Sequence, residues 1–268
     1  MVQNKKINVA LTIAGSDSGG GAGIAADLKT FFSLGVHGTC VMTCLTAQNP
    51  KAVSRVQPCA PGMVRAQIEA VFSELPPKAV KTGMLYSASI VREVAETLKD
   101  LPKTPLVIDP VMIATSGATL AKNSAVKAMI RELFPLATLL TPNVPEAEVL
   151  LGRKIKSLEA LFQAAADIYN LFDCTVLIKG GHFKIKDEAI DFLFDGKKTR
   201  VFQAPYLEKI KTHGTGCTFS AAITAYLTLG RSLPQAVELA KAYITQAIAR
   251  HSKTNGHAVL SHGHSQTI

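Results

Sequence analysis

The stretch His213-Gly214-Thr215-Gly216-Cys217-Thr218 opens a segment in which apolar residues recur with the spacing of one helix face. That spacing predicts an amphipathic helix, so the two glycines lie at its N-terminus. The first backbone N–H groups of a helix lack intrahelical acceptors and carry a partial positive charge. Because Gly214 and Gly216 have no Cβ, an anionic group can come close to this backbone. The stretch therefore predicts a cradle for a phosphoryl group.

Cys217 lies in the same positive field, which favours the thiolate. We expect its pKa to fall from about 8.5 towards neutrality. Such a thiol suits a general base that takes the proton of an attacking hydroxyl while the glycine backbone holds the transferring phosphoryl group. The alternative interpretation is a glycine-rich helix start followed by an ordinary buried cysteine, which serves as a small apolar residue in many cores.

The rest of the chain alternates short β-rich apolar runs with longer helical patterns, and it has no internal repeat or Pro/Ser-rich linker. Apolar runs without a solvated face are typical of a mostly parallel sheet covered by helices on both sides. We therefore predict one α/β domain over residues 1–268, with roughly the last 15 residues as a flexible tail. The predicted strands are Ile7–Ala14, Thr39–Ala47, Ala79–Thr82, Pro105–Asp109, Thr138–Thr141, Cys174–Lys179 and Ala189–Phe194.

Residues that follow a strand are the candidates for ligand binding, because open α/β sheets bind ligands outside the carboxyl ends of their strands. Asp109 ends one run, and Asn143 and Glu146 follow another, where such side chains can hold Mg²⁺ and polyphosphate. Glu146 has an alternative role as a favourable acid in the first turn of a helix. Lys179 ends a further run and is either a phosphate partner or a lysine that snorkels from the sheet edge.

Gln48 follows the second predicted strand, at the carboxyl edge of the sheet. Its amide offers an acceptor and two donors, so it can pair with an aminopyrimidine edge through two hydrogen bonds. By itself the signal is weak, because a glutamine in a loop is more often inert.

A glycine-rich loop, residues 15–23, follows the first run and leads into a helix. Its Gly21-x-Gly23-x-x-Ala26 segment satisfies a loose dinucleotide fingerprint, but no acid occurs between Asp27 and Glu69 to hold a ribose. The chain also lacks G-x-x-x-x-G-K-[ST], which excludes a P-loop. Five glycines in this loop still indicate a surface that a ligand approaches closely.

The composition disfavours several other classes of protein. The net charge of +9 is scattered among acids, without the basic face and aromatic platforms of a nucleic-acid binder. Five cysteines with no C-x-x-C pair favour reduced thiols and disfavour a zinc site. The N-terminal apolar run is too short to span a bilayer and lacks a cleavage pattern. We expect a cytoplasmic protein without nucleic-acid or membrane partners, whose basic surface attracts anionic small molecules.

The histidines are not expected to be catalytic. We interpret His182 and His213 as orienting or structural residues. His257, His262 and His264 lie in the polar C-terminal tail, where we expect disorder rather than a metal site.

Taken together, these motifs resemble the hydroxymethylpyrimidine/phosphomethylpyrimidine kinases of thiamine biosynthesis, and the matches extend from Ile7 to Ala249. That family often has Gln where this chain has Ala25, and Ile where it has Thr82. The matching segments are Ala14–Asp17, Gly19–Ile24, Ala26–Thr30, Leu45–Asn49, Lys81–Leu85, Asp109–Met112, Thr141–Asn143, Glu146–Ala147, Lys179–His182 and His213–Thr218.

The resemblance implies a ribokinase-like fold, a three-layer α/β/α sandwich with a central, mostly parallel sheet, usually found as a homodimer that uses Mg-ATP. It implies phosphorylation of 4-amino-5-hydroxymethyl-2-methylpyrimidine to its monophosphate and then to the pyrophosphate. By the same resemblance, Cys217 is the base, and Gly214 and Gly216 form the anion hole. The other implied site residues are Gln48, Gly15, Ala22, Asp27, Thr46, Met84 and Val111 around the pyrimidine, Lys179 and Thr215 at ATP, and Asp109, Asn143 and Glu146 at Mg²⁺ and the phosphates.

Two other enzyme classes compete with this interpretation. Pyridoxal kinases of the same superfamily phosphorylate a hydroxymethyl group on a similar six-membered ring and use the same base cysteine. Gln48 favours an aminopyrimidine over pyridoxal. A nicotinamide-dependent oxidoreductase is disfavoured because the acid that should follow Gly21-x-Gly23 is missing.

Overall fold

The computed structural model describes residues 6–112, 123–185, 187–207, 210 and 213–263, except for the side chains of 182–185. The strands are β1 Val9–Ala14, β2 His37–Met42, β3 Cys44–Gln48, β4 Val53–Pro58, β5 Ala79–Thr82, β6 Leu106–Ile108, β7 Leu139–Leu140, β8 Thr175–Ile185, β9 Glu188–Phe194, β10 Thr199–Pro205, β11 Ser252–Thr254 and β12 His257–Val259. The helices are α1 Gly23–Ser33, α2 Pro61–Glu74, α3 Ala88–Asp100, α4 Asn123–Ala128, α5 Val144–Leu151, α6 Leu158–Phe172, α7 Thr215–Thr228 and α8 Leu233–Ala249. A π turn, Met129–Leu133, and a 3₁₀ turn, Phe134–Leu136, follow α4.

The central sheet has eight strands among the described residues, in the order β10-β9-β8-β7-β6-β5-β1-β2. From β2 to β8 all neighbouring strands are parallel, whereas β9 and β10 add an antiparallel edge. The chain runs outward from β1 to β2 and then returns to form β5 on the other side of β1. This reversal creates a crevice at the carboxyl ends of β1 and β5, where open α/β sheets bind their ligands.

Helices cover both faces of the sheet. Successive side chains of a strand point to opposite faces, and in this sheet the side chains on both faces are apolar. In β6, the side chains of Leu106 and Ile108 pack on the face that α2 to α6 cover, whereas Val107 packs on the opposite face with α7 and α8. Because both faces are apolar, the strand reads as a continuous hydrophobic run. The predicted α/β/α sandwich with a mostly parallel sheet is confirmed.

The prediction of one strand over Thr39–Ala47 is wrong, and so is the expected position of Gln48. Thr43 interrupts the run: its backbone N–H donates to Ala14 O at 2.9 Å and its hydroxyl donates to Met84 O at 2.7 Å. After this turn the chain leaves the central sheet and forms β3, which pairs only with β4 in an antiparallel ribbon. Gln48 therefore ends a ribbon strand beside the sheet and does not follow a strand of the sheet itself.

The expected flexible tail is folded as far as the structure describes it, to Gly263. The strands β11 and β12 pair as a hairpin, and Leu260 is buried against the core on the α7/α8 face. The His262 imidazole lies 3.0 Å from the Thr218 hydroxyl in the first turn of α7, and burial lowers its pKa to about 4. His264 lies outside the described residues. The contacts of Leu260 and His262 hold this segment against the domain, and the polar composition of the tail did not indicate them.

Two further properties concern the described part of the chain. No helix there is long and apolar enough to cross a membrane. The five cysteines are all free thiols, as predicted.

Candidate active site

The candidate active site is a cavity at the crevice between β1 and β5. Residues at the carboxyl ends of neighbouring strands meet there with the start of α7, because parallel strands all end at the same edge of the sheet. The lining includes Asp17, Gln48, Lys81, Gly83, Met84, Asp109, Val111, Asn143, Glu146, Lys179, His213, Gly214, Gly216 and Cys217, together with Ala14, Gly15, Ser16, Ala22 and Gly23.

The two glycine-rich segments pack directly against each other. Gly214 caps the N-terminus of α7 with φ +83°, a conformation that side-chain-bearing residues rarely adopt. A Cβ on Gly214 would lie only 1.7 Å from the carbonyl oxygen of Gly21. Glycine is thus required at 214 because two backbone segments are in contact there. This reason is separate from the one that the sequence suggested, namely that an anion must be able to approach the backbone.

A polar network joins the same two segments. The Asp17 carboxylate accepts backbone hydrogen bonds from Gly19, Gly21 and Ala22 at 2.8 to 3.0 Å. Its Oδ2 also lies 2.9 Å from His213 Nε2, which is 3.1 Å from the Gln48 amide nitrogen. Although burial opposes ionisation, these contacts hold the pKa of Asp17 below its usual value. His213 is therefore an orienting residue, as predicted, because it links the loops and contacts Gln48.

Cys217 lies in the first turn of α7, facing the cavity, but its expected low pKa is wrong. Enclosure by the surrounding walls raises the pKa to about 11, and Asp27 and Asp109 act in the same direction. The Lys81 ammonium and a hydrogen bond from the Gly23 backbone N–H lower it, but they do not compensate. Cys217 remains partly exposed to the cavity. The sequence placed the thiol at a helix N-terminus but could not indicate which walls and charges would surround it.

A fully buried ion pair lies beneath the cavity. Lys81 Nζ, in β5, donates to both carboxylate oxygens of Asp27, in α1, at 2.8 Å each. The Thr12 hydroxyl adds a third hydrogen bond to Asp27 at 2.7 Å. Burial by itself would lower the pKa of Lys81, but Asp27 and the nearby Cys217 and Asp109 hold it above the ordinary value, so the lysine stays charged.

A second charged cluster lies at the ends of β6, β7 and β8. Lys179 Nζ donates to Asp109 Oδ1 at 2.7 Å, and the Ser220 hydroxyl contacts Asp109 Oδ2 at 3.3 Å. The pKa of Glu146 is raised to about 7: burial is the largest cause, Lys179 lowers the pKa, and Asp109 raises it. Two carboxylates share one ammonium here, which leaves an excess of negative charge that a cation would relieve.

Asn143 and Glu146 form the capping box of α5. The Glu146 backbone N–H donates to Asn143 Oδ1 at 2.9 Å, and the Asn143 N–H donates to Glu146 Oε2 at 2.8 Å. The helix-start role that the sequence offered for Glu146 is therefore correct. The carboxylate also accepts a backbone hydrogen bond from Met112, and because each carboxylate oxygen has two lone pairs the capping role is compatible with binding a cation.

The cavity brings together most of the predicted site residues. It is lined by Gly15, Ala22, Gln48, Met84, Val111, Asp109, Asn143, Glu146, Lys179, Gly214, Gly216 and Cys217. Asp27 and Thr46 do not line it. Asp27 is fully buried and bound to Lys81, and the Thr46 hydroxyl donates to Ser16 O at 2.8 Å. Thr215, the first residue of α7, is also outside the lining.

Sequence reasoning assigned no role to Lys81 or Asp17. A signal for Lys81 was present, because a lysine within the apolar run Ala79–Thr82 of a central strand needs a buried partner. The sequence could not identify that partner, which lies 54 positions away on α1. Asp17 had no comparable signal, because an aspartate is ordinary in a turn.

Comparisons with known proteins agree with this geometry. The family described as phosphomethylpyrimidine kinase matches residues 17–262. The hydroxymethylpyrimidine/phosphomethylpyrimidine kinase of Synechococcus elongatus is 46% identical over 258 residues, 96% of this chain and 97% of that protein. The thiamine biosynthesis bifunctional protein ThiED of Geobacter sulfurreducens is 46% identical over 94% of this chain, which spans about half (51%) of that longer protein.

A solved structure extends the comparison to the fold. The ADP complex of Bacillus subtilis pyridoxal kinase superposes with a TM-score of 0.87 at 37% identity, covering 96% of this chain and 98% of that one. The ribokinase-like fold expected from the sequence is thereby confirmed. The family model matches residues 17–262, and a named member of the family is 46% identical over 96% of the chain. The chain therefore belongs to the phosphomethylpyrimidine kinase family.

Proposed function

We propose that the chain transfers the γ-phosphoryl group of ATP to the hydroxymethyl group of 4-amino-5-hydroxymethyl-2-methylpyrimidine, and then phosphorylates the monophosphate to the pyrophosphate. The observation that carries the proposal is the convergence, in one cavity, of Gln48, the N-terminus of α7 with Cys217, and the Lys179 cluster. One end of the cavity thus suits a polar heterocycle and the other suits a polyphosphate.

The pyrimidine would lie near Gln48, between Met84 and Val111 and above the backbone of Gly15 and Ala22. A Cβ at residue 15 would lie 2.7 Å from both Cys44 Sγ and Met84 Cε. Only glycine therefore fits between these two side chains in the cavity wall. Gln48 supplies hydrogen bonds to the ring edge, and its contact with His213 limits how its amide can rotate.

The reacting hydroxyl would lie beside Cys217, which takes its proton. The backbone N–H groups at the start of α7 would receive the transferring oxygens, because this end of the helix carries unpaired donors and a positive dipole. A Cβ on Gly216 would lie 3.3 Å from Lys179 Nζ, which puts the lysine at the same place for a phosphate oxygen.

The carboxylates suit a magnesium ion. Mg²⁺ is held by one or two carboxylates together with the substrate phosphates, and the described residues contain no cluster of three or more His, Cys, Asp or Glu that would form a fuller cage. Asp109 and Glu146 supply the oxygen ligands, with Asn143 beside them. When bound, Mg²⁺ would neutralise polyphosphate charge and offset the repulsion from Asp109, which adds to burial in raising the pKa of Glu146.

We propose in addition that the chain acts as a homodimer in the cytoplasm. Phe32 on α1 is 85% exposed, and a partner subunit would remove this large apolar side chain from water. Size-exclusion chromatography with light scattering would give the mass; a monomer at micromolar concentration would contradict the proposal.

The test of the activity is an assay of the purified chain with Mg-ATP and either the pyrimidine or pyridoxal, with products resolved by mass. Mono- and then diphosphorylated pyrimidine is the expected result. Phosphorylation of pyridoxal alone would assign the cavity to a vitamin B6 kinase activity and would remove the role of Gln48. Omission of Mg²⁺, with EDTA present, should abolish turnover in either case.

A further inference from the structure

Lys81 occupies an unusual place for a charged residue. It lies in the middle of the sheet, on β5 between β1 and β6, and is fully buried. Two hydrogens of its ammonium group go to the two oxygens of Asp27. An ammonium has three hydrogens, and among the described residues the third has no protein acceptor. Lys81 also lines the cavity, so the charged residue borders the site.

The thiol of Cys217 shares this environment. Its sulfur accepts a hydrogen bond from the backbone N–H of Gly23, the first residue of α1. Asp27 is four residues further along α1, and so on the same face of that helix one turn later. The sulfur therefore lies at the start of α1, and the carboxylate that holds the Lys81 ammonium lies one turn further along the same helix. The other charged groups that act on the thiol are Asp109 and Lys179.

We propose that Lys81, held in place by Asp27, is a positioning residue for phosphoryl transfer that stabilises the thiolate form of Cys217. The proposal rests on the proposed function, in which Cys217 is the base. The thiolate takes the hydroxyl proton as the hydroxyl oxygen bonds to the γ-phosphorus. The bond from that phosphorus to the bridging oxygen breaks, and ADP leaves with the electron pair. The thiol then returns its proton to solvent.

The problem that Lys81 solves is the enclosure of the thiol. A cysteine shut away from water loses its anionic form unless a positive charge is built in beside it. A lysine buried alone would lose its proton for the same reason, so it needs the Asp27 carboxylate to stay charged. Asp27 in turn opposes the thiolate, which means that the two members of the pair act on Cys217 with opposite signs.

A purely structural role for the pair is the competing explanation. Buried ion pairs add little stability over apolar residues of the same volume, so stability gives a weak reason to keep one beneath an active site. The fold has a second such pair, Lys241 and Asp191, whose atoms lie 2.7 Å apart and which does not line the cavity. That pair supplies a matched control.

The test is the pH dependence of Cys217 alkylation by iodoacetamide, followed by mass spectrometry of the peptide that carries it, in the full chain without ligand. Removal of the ammonium in Lys81→Met should raise the pKa of Cys217 by roughly one unit or more. Asp27→Asn should raise it as well, because the buried lysine loses its proton without the carboxylate, and the effect of Lys81 on the thiol is larger than that of Asp27. Lys241→Met should leave it unchanged. If Lys81→Met does not fold, the double variant Lys81→Met/Asp27→Asn, which buries no unpaired charge, should still raise it.

Equal pKa values in all folded variants, or a fall in the pKa of Cys217 in Lys81→Met, would overturn the proposal. The readout needs no turnover, so it is separate from the proposed activity. If Cys217→Ala phosphorylated the pyrimidine at the normal rate, the base assignment would fail while the titration result would stand.

Discussion

Replacement of Glu146 by glutamine should stabilise the protein at alkaline pH while it impairs the active site. The pKa of Glu146 is raised from 4.5 to about 7 in the folded chain, so the folded state binds this proton more tightly than the unfolded state. The stability from that proton is complete below pH 4.5 and is lost as the pH rises through about 7. At about 1.36 kcal/mol for each pKa unit, the total loss is about 3.4 kcal/mol. Glutamine does not titrate, and it can keep the capping box with Asn143.

The measurement is urea unfolding of both proteins, followed by circular dichroism, between pH 5 and pH 8. The advantage of Glu146→Gln should grow by about 2.5 kcal/mol across this interval. Glu148→Gln is the control on the same helix: hydrogen bonds from Lys154 and the Ile155 N–H lower the pKa of Glu148, so both states are ionised above about pH 5. Its replacement should therefore destabilise the protein by an amount that hardly changes between pH 5 and pH 8. An advantage of Glu146→Gln that does not change with pH, or a loss of stability at pH 8, would refute the reasoning.

Three further variants test separate parts of the structure. Thr82→Val should stabilise the chain by about 1 kcal/mol, because the Thr82 hydroxyl is buried without a hydrogen-bond partner among the described residues. Thr12→Val, which removes a hydrogen bond to Asp27, should destabilise the chain in the same unfolding assay. Gly214→Ala should lower the melting temperature far more than Gly230→Ala. Both residues have φ near +80°, but only at 214 would the new Cβ lie 1.7 Å from a backbone oxygen. Equal decreases would mean that the cost comes from the positive φ and not from the contact with Gly21. Cys217→Ala should reduce kcat by roughly 10²- to 10⁴-fold with little change in KM, and a kcat near wild type would remove Cys217 as the base.

The sequence predicted the architecture well because local periodicity reports it directly. The apolar runs at β1, β5, β6, β7, β8 and β9 lie where they were expected, with ends that differ by a few residues. In a parallel sheet all strands end at the same edge, so the residues that directly follow the strands lie together there. This is why Asp109, Asn143 and Lys179 could be grouped before the structure was known.

Gln48 shows where that argument fails. Its strand was joined to the preceding apolar run because both are β-rich, and no local feature reveals that Thr43 turns the chain out of the sheet. The hydrogen bonds that fix this turn go to Ala14 and Met84, which lie far away in sequence. Gln48 reaches the cavity from the ribbon instead, and there it meets His213.

The sequence by itself determined the apolar strands β1 and β5 to β9, the helix start at Gly214 and the grouping of Asp109, Asn143 and Lys179 at the carboxyl edge, since all of these follow from periodicity and backbone geometry. Only the tertiary structure decided the ionisation of the site: the raised pKa of Cys217, the raised pKa of Glu146 and the pairing of Lys81 with Asp27. The reason is physical. The charge state of a buried group depends on how completely water is excluded and on which charges lie within a few ångströms, and both are set by segments that meet only when the chain has folded.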